Sequence, residues 1–274
     1  MSLFTVDENT CTRCGACVEE CPPRIIAMND AGRAPVPVKG AGLLCINCFH
    51  CVAVCPHGSL SHKNASPGAC PPVRREWLLS PEQAAHFLRS RRSIRTYRDT
   101  PVEKESIAKL IDIARYAPSG HNSQPVEWMV VYDTQKVRLL ADVVIDWMRW
   151  MGDTHPAIAK QSHMDMALKR WEGGLDAIFR GAPHVALCHA PKENMMAQSA
   201  ATIALAYLEL AAPSFGLGAC WAGYFHAASM FWPPMVEALG LPEGHVNLGA
   251  LMLGYPKHRY HRLPPRNEPR IIWR

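Results

Sequence analysis

The chain of 274 residues has no long uninterrupted apolar run and comparatively few charged side chains. A transmembrane helix needs about 18 or more consecutive apolar residues, so the sequence predicts no membrane span. The first residues, MSLFTVDENTC, lack the basic and then apolar stretches of a secretory signal, and we expect a cytoplasmic protein. Charged residues make up 19% of the chain and apolar residues 48%, which predicts a folded protein with a hydrophobic core.

Motifs of several common enzyme classes are missing as well. The sequence contains no G-x-S-x-G, H-E-x-x-H or G-x4-G-K-S/T motif, so hydrolase, zinc-peptidase and P-loop chemistry is not indicated. A dinucleotide-binding G-x-G-x-x-G after a strand and the usual nucleic-acid-binding motifs are also missing. The thirteen histidines show no metal-ligand spacing, and we interpret them as surface or polar-contact residues.

Cysteine, in contrast, is abundant and unevenly placed. Eight of the eleven cysteines lie in the first 55 residues, and a secreted disulfide framework would not sit at one end of a mostly cysteine-free chain. Reduced thiols that hold metal are the better interpretation. The eight form two C-x2-C-x2-C-x3-C-P runs, the second 34 positions after the first: Cys11, Cys14, Cys17 and Cys21, then Cys45, Cys48, Cys51 and Cys55.

The spacing within each run favours iron–sulfur clusters. Three closely spaced thiolates converge on one cuboidal cluster, while the fourth cysteine, fixed by the following proline, ligates the other cluster. A zinc ribbon is the alternative, but it needs four ligands in C-x2-C pairs. Residues 1–62 resemble the bacterial two-cluster ferredoxins, which implies two 4Fe–4S clusters, and a turn is expected over residues 29–32. The expected ligand sets are Cys11, Cys14 and Cys17 with Cys55, and Cys45, Cys48 and Cys51 with Cys21.

A proline-rich stretch separates this region from the remainder of the chain. Residues 63–76 show no periodicity, and we interpret them as a linker between the first domain and a second domain over residues 77–274. Ser80-Pro81-Glu82-Gln83 predicts a helix start with Ser80 as the N-cap and a capping box. Thr100-Pro101-Val102-Glu103 predicts a second start of the same kind, with Thr100 as the N-cap.

Hydrophobic periodicity predicts alternating helices and strands in the second domain. A helix after residue 103 should end before Pro118, and further helices are expected over 134–151 and 200–212, the last buried nearly all round. Strands are expected at 126–132, 184–188 and 246–253. This alternation favours an α/β or α+β fold in which helices wrap one sheet.

Three segments of the second domain each carry a weak signal. The run RRSIRTY over residues 91–97 clusters guanidinium groups beside a hydroxyl, as binding of a phosphate monoester requires, although arginine runs are more often solvated surface. Residues 116–125, YAPSGHNSQP, form a polar loop by composition. Gly254-Tyr255-Pro256 precedes several arginines that would otherwise pass for a basic tail.

In this order and spacing the three segments resemble the nitroreductase family of FMN-dependent oxidoreductases, over residues 81–270. The resemblance implies a nitroreductase-like α+β fold with a central sheet wrapped by helices, and a homodimer with FMN at its interface. It also implies three groups of FMN contacts. The phosphate would be bound by Arg91, Arg92, Ser93, Arg95 and Arg262; a turn from the partner subunit would contribute Pro118, Ser119, Gly120, Asn122 and Gln124; Trp221, Ala222 and Gly223 would place backbone amides near the flavin ring.

The two resemblances together imply a redox relay. An external donor would reduce the two 4Fe–4S clusters, these would pass electrons singly to FMN, and FMN would reduce a small nitroaromatic, quinone, flavin or enone acceptor. No catalytic side chain is assigned. The alternative is a redox-sensing or electron-carrier protein that acts on a protein partner. Clusters and flavin phosphate would bring the formal charge of +5 close to neutral, so no nucleic-acid partner is expected.

Overall fold

The computed structural model describes residues 2–29 and 34–274, so most of the turn expected over 29–32 lies outside the described residues. The chain divides into two compact units. The first extends to Leu79 and includes His121–Ser123, and the second contains Ser80–Gly120 and Gln124–Arg274. Within the described part of the chain, no helix combines the length and apolarity needed to cross a membrane.

The first unit is built from very short elements around a small core. Its strands form two antiparallel pairs, β1 (Phe4–Val6) with β4 (Leu60–His62) and β2 (Ile26–Ala27) with β3 (Val36–Pro37). The core is formed mainly by Phe4, Ile25, Ile26, Val52 and Leu60, with several cysteines packed against it. So small a core contributes little stability, which is typical of domains that depend on metal for folding. The elements are β1 (Phe4–Val6), α1 (Ala16–Glu19), β2 (Ile26–Ala27), β3 (Val36–Pro37), α2 (Ala41–Leu44), α3 (His50–Ala53) and β4 (Leu60–His62).

The second unit contains one four-stranded sheet and eight α-helices in its described residues. The strand order is β5-β6-β8-β7, and every neighbouring pair is antiparallel. Its elements are α4 (Pro81–Ser90), α5 (Lys104–Ala114), β5 (Glu127–Val131), α6 (Thr134–Thr154), α7 (Pro156–Gln161), α8 (Met164–Glu172), β6 (His184–Pro191), α9 (Ala197–Ala211), β7 (Gly218–Trp221), α10 (Gly223–Phe231), α11 (Pro233–Leu239) and β8 (His245–Gly254).

Helices cover both faces of this sheet because its central strand β6 is apolar on both sides. Val185 and Leu187 face a core shared with α6 and α10, while the alternating residues Ala186 and Cys188 face a core shared with α5 and α9. A strand segment buried on both faces is a continuous apolar run, as residues 185–188 of β6 are. The predicted architecture of helices wrapped around one sheet is therefore confirmed, and the fold is α+β.

The first helix of the second unit begins as predicted. The Ser80 hydroxyl accepts from the Gln83 N–H at 3.2 Å, and the Gln83 side chain accepts from the Ser80 N–H at 2.9 Å, which completes the capping box. Pro81 occupies the first helical position, where its missing N–H costs nothing. Local sequence chemistry is sufficient to specify this helix start.

The predicted N-cap at Thr100 is wrong, because α5 starts only at Lys104 with Glu103 at its N-cap. The fully buried Val102 explains the delay. Its N–H donates to His184 Nε2 at 2.8 Å, and its carbonyl accepts from the Tyr132 hydroxyl at 2.9 Å. Tertiary hydrogen bonds therefore hold this segment outside the helix.

Helix α9 also differs from the expectation, because it is buried on one face only. Ala201, Leu205 and Leu208 are fully buried, whereas Ile203 and Tyr207 are 36% and 38% exposed. Ala201, Leu205 and Leu208 belong to the core against the sheet, whereas Ile203 and Tyr207 lie on the exposed side of the helix.

Candidate cluster and flavin sites

Two cavities in the first unit are each lined by four cysteines. One is lined by Cys11, Cys14, Cys17 and Cys55. The other is lined by Cys21, Cys45, Cys48 and Cys51. The structure thus brings together the two predicted sets, including the exchange of the fourth cysteine between the runs. All eleven cysteines of the chain are free thiols.

The backbone repeats with the same period as the cysteines. Arg13 and Gly15 have positive φ angles of 59° and 79°, and so do their counterparts 34 positions later, Asn47 at 51° and Phe49 at 58°. Alternating right- and left-handed residues turn successive N–H groups toward one side, which forms a concave site for anions such as iron–sulfur clusters. Three non-glycine residues in this strained conformation indicate that the cavity shape is imposed by the fold.

The thiols within each cavity oppose one another's ionisation. Burial, reinforced by Cys48, Cys21 and Cys45, raises the pKa of Cys51 to about 11. Burial also raises the pKa of Cys17, and Cys55, Cys14 and Cys11 add to the effect. Four thiolates so close together need a compact cationic centre, which an iron–sulfur core supplies.

Hydrogen bonds to sulfur supply part of the electrostatic support for each cavity. Burial raises the pKa of Cys55, but backbone N–H groups led by that of Ser59 outweigh it and hold the pKa below its usual value. The Ser59 N–H lies 3.2 Å from Cys55 Sγ. In the other cavity, His62 Nε2 lies 3.5 Å from Cys45 Sγ. Such contacts stabilise the thiolate form that binds iron.

In the second unit, the arginine-rich segment after α4 is extended and lies against the edge of the sheet. The Ile94 N–H donates to the Ala219 carbonyl in β7 at 2.9 Å, and the Arg98 N–H donates to the Tyr255 carbonyl at 2.8 Å. This close approach requires a glycine at position 218, because a Cβ there would overlap the Ile94 side chain. Gly218 therefore allows the segment to pack on β7.

Because the segment is extended, its side chains alternate between two sides. Five side chains lie together on one of these sides, and we call them the polar cluster: Arg91, Ser93, Arg95, Glu209 and Cys220. Arg91 Nη1 donates to Glu209 Oε1 at 2.8 Å and to the Ser93 hydroxyl at 3.3 Å. Burial raises the pKa of the Cys220 thiol, while the Arg95 guanidinium and the Ser93 hydroxyl lower it. Three of the predicted phosphate ligands are thus brought together.

The other predicted phosphate ligands lie elsewhere. Arg92 points into a different groove with Arg98, Lys257 and Arg259, and its Nη1 donates to the Arg89 carbonyl at 2.9 Å near the end of α4. The Arg92 Nε atom is buried without a partner in the described structure. Arg262 is exposed and is absent from the described lining of that groove. The family resemblance placed these arginines with Arg91 and Arg95 in one site, but the extended backbone turns Arg92 to the other side of the segment.

The polar turn before β5 contains several strained residues. His121, Asn122 and Gln124 have φ angles of 52°, 53° and 45°. The Ser119 hydroxyl accepts from the Gln124 N–H at 2.9 Å and closes the turn. Asn122, which groups with the first unit, donates from Nδ2 to the Asn47 carbonyl at 3.0 Å.

The remaining two residues predicted in this turn are Pro118 and Gly120. In the described residues, no hydrogen bond joins the turn to Arg91, Ser93 or Arg95. The resemblance predicted that the turn would complete a flavin site in the partner subunit, so such a bond within one chain is not expected.

Trp221, Ala222 and Gly223 form the junction between β7 and α10. The Ala222 N–H donates to the Ala250 carbonyl at 2.9 Å, which fixes the junction on β8. In the described structure, α10 begins without a side-chain cap. The first N–H groups of this helix are therefore available as donors beside a ligand.

Two residues at the polar cluster were not found from the sequence. Glu209 lies within an apolar helix pattern, and Arg180 lies in a segment between elements, where it also lowers the pKa of Cys220. The available signal was Glu209 as the single charged residue of α9, which is consistent with a buried charged partner.

Comparison with known proteins agrees with this geometry. The nitroreductase family profile matches residues 88–255, and a 4Fe-4S dicluster domain profile matches residues 10–60. The chain belongs to the nitroreductase family. It is an oxidoreductase of that family with an iron–sulfur dicluster domain at its N-terminal side.

Individual relatives match different shares of the chain. A protein named NADH dehydrogenase from Thermus thermophilus is 31% identical over 201 residues, which cover 67% of this chain and 92% of that protein. A ferredoxin from Pyrobaculum islandicum is 31% identical over 88 residues, covering 30% of this chain and 77% of the ferredoxin. A nitroreductase structure with bound FMN from Bacteroides fragilis shares the fold, with a TM-score of 0.59 and 19% identity over 70% of this chain and 99% of that chain.

Proposed function

We propose that this protein passes electrons from an external donor through two 4Fe–4S clusters to FMN, which reduces a small organic acceptor. The observation that carries the proposal is the pair of four-cysteine cavities on the same chain as a nitroreductase-family domain. Because both domains belong to one chain, the cluster domain stays attached to the nitroreductase-family domain.

The cysteines would bind the clusters in the two sets that line the cavities. Cys11, Cys14, Cys17 and Cys55 would hold one cluster, and Cys21, Cys45, Cys48 and Cys51 the other. Backbone N–H groups near the sulfurs would tune the potentials, as hydrogen bonds to cluster sulfurs do generally.

The polar cluster on β7 fits the phosphate of FMN. Arg95 and Arg180 supply positive charge, Ser93 supplies a hydroxyl, and Arg91 keeps donors beyond the Nη1 that Glu209 engages. Charged donors around a small polar site suit a phosphate monoester. We retain Arg92 and Arg262 as predicted further contacts, and Trp221, Ala222 and Gly223 as the backbone donors beside the flavin ring. In the partner's site, the turn residues Pro118, Ser119, Gly120, Asn122 and Gln124 would contact the flavin.

FMN, when bound, supplies the exchange between one-electron and two-electron transfer. The acceptor is of nitroaromatic, quinone, flavin or enone type. A quinone, for example, would gain two electrons and two protons; the external donor provides the electrons and solvent provides the protons. The chain's own contribution is to bind the cofactor and to hold the acceptor against it.

We further propose a homodimer that shares its flavin sites. The described chain exposes large apolar side chains on α9, α10 and α11, including Tyr207, Phe231 at 57% and Val236 at 43%. Apolar surface of this kind is typical of protein interfaces. Dilution should then release FMN and monomer together, whereas a flavin-loaded monomer in light scattering would exclude the shared site.

The electron path is tested with a cysteine variant under anaerobic conditions. Cys48→Ser replaces one predicted cluster ligand by a poorer iron ligand, so iron should fall from near eight per chain while FMN occupancy is retained. Acceptor reduction with reduced ferredoxin should be lost, and reduction with a small reductant that reaches FMN directly should persist. Cys70→Ser is the matched control, because Cys70 belongs to neither set and should leave both activities unchanged.

Three outcomes would overturn parts of this proposal. Full ferredoxin-driven activity in Cys48→Ser would mean that this cluster is not on the electron path. Equilibration with a protein partner, without catalytic consumption of any small acceptor, would instead favour the redox-sensing or carrier function. Zinc in place of iron and labile sulfide would remove the cluster assignment itself.

A further inference from the structure

A cluster of metal-ligating side chains lies at one end of the sheet in the second unit. Glu127, His189 and His245 come from three adjacent strands, and one ligand atom from each lies within 4.8 Å of the others. His189 is buried, His245 is half-buried and Glu127 is exposed. None of these residues belongs to the proposed cluster or flavin sites.

The pairing of the strands places all three side chains on one face of the sheet. Glu127 lies directly opposite His189 in the β5–β6 ladder. His189 lies opposite Asn247 in the β6–β8 ladder, so His245, two residues before Asn247, is on the same face. Directly opposite and diagonal neighbours on one face are close enough for side chains to meet.

A β-bulge is what brings His245 to this face. Cys188 pairs with Gly249, but the register shifts by one residue between Cys188 and His189. Without the shift, His189 would lie opposite Leu248, and its diagonal neighbour on the same face would be Val246. A one-residue shift moves the following side chains to the other face of a strand. Because of the bulge, the diagonal neighbour of His189 on this face is His245 and not Val246.

The two imidazoles are already at a separation that one cation can bridge. His189 Nδ1 and His245 Nδ1 are 2.9 Å apart. With metal–nitrogen bonds of about 2.1 Å, this separation corresponds to a ligand–metal–ligand angle of about 90°, and an opening of about 0.5 Å gives a tetrahedral angle. The exposed Glu127 carboxylate has the rotamer freedom to close the remaining distance.

We infer that Glu127, His189 and His245 form a binding site for a divalent transition-metal cation of the zinc class. Two imidazoles and one carboxylate are ligands that Zn²⁺ accepts, with water in the remaining position. The bound cation would tie β5, β6 and β8 together at their shared end. The proposal of this site does not depend on the proposed electron path.

The test uses the full-length protein with its clusters intact, because vacant cysteines would themselves bind zinc. Anaerobically prepared protein is dialysed against Zn²⁺ buffered by a chelator, and zinc and iron are measured in the same sample. The wild-type chain should bind one Zn²⁺ while retaining its iron, and its melting temperature should rise with zinc. His245→Gln should weaken zinc binding at least about 100-fold, and Glu127→Gln should weaken it less, about tenfold.

His86→Ala is the matched control, because His86 is an exposed histidine on α4, outside the site. It should bind zinc as the wild-type chain does. Both test variants change residues that are not fully buried, so they should remain folded, which circular dichroism would verify. The metal-site proposal would be overturned if the wild type and His245→Gln bound zinc with equal affinity, or if the iron-loaded wild type bound no zinc. The contact between His189 and His245 would then be a hydrogen bond only.

Discussion

Arg91 Nη1 and Glu209 Oε1 form an ion pair at 2.8 Å that joins the segment after α4 to helix α9. The Glu209 side chain is 8% exposed and that of Arg91 is 27% exposed. A carboxylate this deeply buried is stable in its charged form only with a partner, because desolvation penalises an isolated charge. Arg91 therefore has a structural role in addition to its predicted contact with the FMN phosphate.

The two roles of Arg91 should separate in a double-variant experiment. Arg91→Ala leaves Glu209 buried without its partner and should lower the free energy of unfolding by about 3 kcal/mol. Adding Glu209→Gln removes the unpaired charge, so stability should largely recover while FMN binding stays weak. Urea unfolding and FMN titration measure the two effects. Recovery of FMN affinity in the double variant would show that Arg91 acts only through Glu209.

Arg95 should contribute to FMN binding more directly. Arg95→Ala removes a charge-assisted contact to the phosphate and should weaken FMN binding by about 1.5–3 kcal/mol, with iron content unchanged. Fluorescence titration of the apoflavin protein measures the loss.

Arg98→Ala is the control for Arg95→Ala. Arg98 belongs to the same segment, but it lines the other groove, with Lys257 and Arg259. The Arg98→Ala variant should bind FMN normally. Arg262→Ala tests the sequence prediction that Arg262 contacts the phosphate. A loss of FMN affinity equal to that of Arg95→Ala would place Arg262 in the phosphate site. Equal losses in Arg95→Ala and Arg98→Ala would argue against a phosphate site on the Cys220 side.

Gly218 should be required for the position of the arginine segment. In Gly218→Ala the new Cβ would overlap Ile94 and lie 3.0 Å from Pro256 Cγ, so the segment must move away from β7. We expect a loss of about 1–3 kcal/mol in stability, from overpacking, and weaker FMN binding.

Gly152→Ala is the matched control for this change. Gly152 lies in α6 with open space where a Cβ would be, so alanine should stabilise that helix by up to about 1 kcal/mol and leave FMN unaffected. Wild-type FMN affinity in Gly218→Ala would refute the prediction that Gly218 positions the arginine segment.

His184 should make the stability of the second unit pH-dependent. Burial lowers the pKa of His184, whose Nε2 accepts from the Val102 N–H at 2.8 Å and whose Nδ1 donates to the Tyr132 carbonyl at 2.6 Å. The folded protein therefore holds the neutral ring, while the unfolded chain gains a proton below about pH 6.5. The free energy of unfolding should fall as pH decreases through this value.

A His184→Asn variant tests this assignment, because asparagine does not titrate. The variant should be less stable than the wild type at pH 7.5, but its loss of stability between pH 7.5 and 5.5 should be smaller. Urea unfolding followed by tryptophan fluorescence gives both values. Burial also lowers the pKa of His226, so part of the pH dependence should remain. Identical pH slopes would assign the dependence to other groups.

The iron–sulfur part of the protein could be predicted almost entirely from sequence. The cysteine spacing is a local property, and the structure repeats the positive φ angles of Arg13 and Asn47 with the same period of 34 residues. The exchange of Cys21 and Cys55 between the cavities followed from the same spacing. Short-range geometry specifies the three closely spaced ligands of each run, because they are only a few residues apart.

The side of a segment that each residue faces could not be predicted from the sequence. The extended backbone of the arginine run turns Arg92 to the other side from Arg91 and Arg95. Glu209, more than 100 residues further along the chain, supplies a charge that no local pattern connects to the run. The late start of α5 has a similar cause, since His184 and Tyr132 bind the backbone of Val102.

Local sequence was sufficient to predict which thiols are spaced for clusters and where helix α4 begins. Which distant side chains meet depended on the tertiary fold. His189 and His245 are 56 residues apart, and a single bulged residue between two strands determines whether they share a face. Side chains in a strand alternate with a period of two, so one residue of register reverses the outcome, and no local sequence signal predicts that shift.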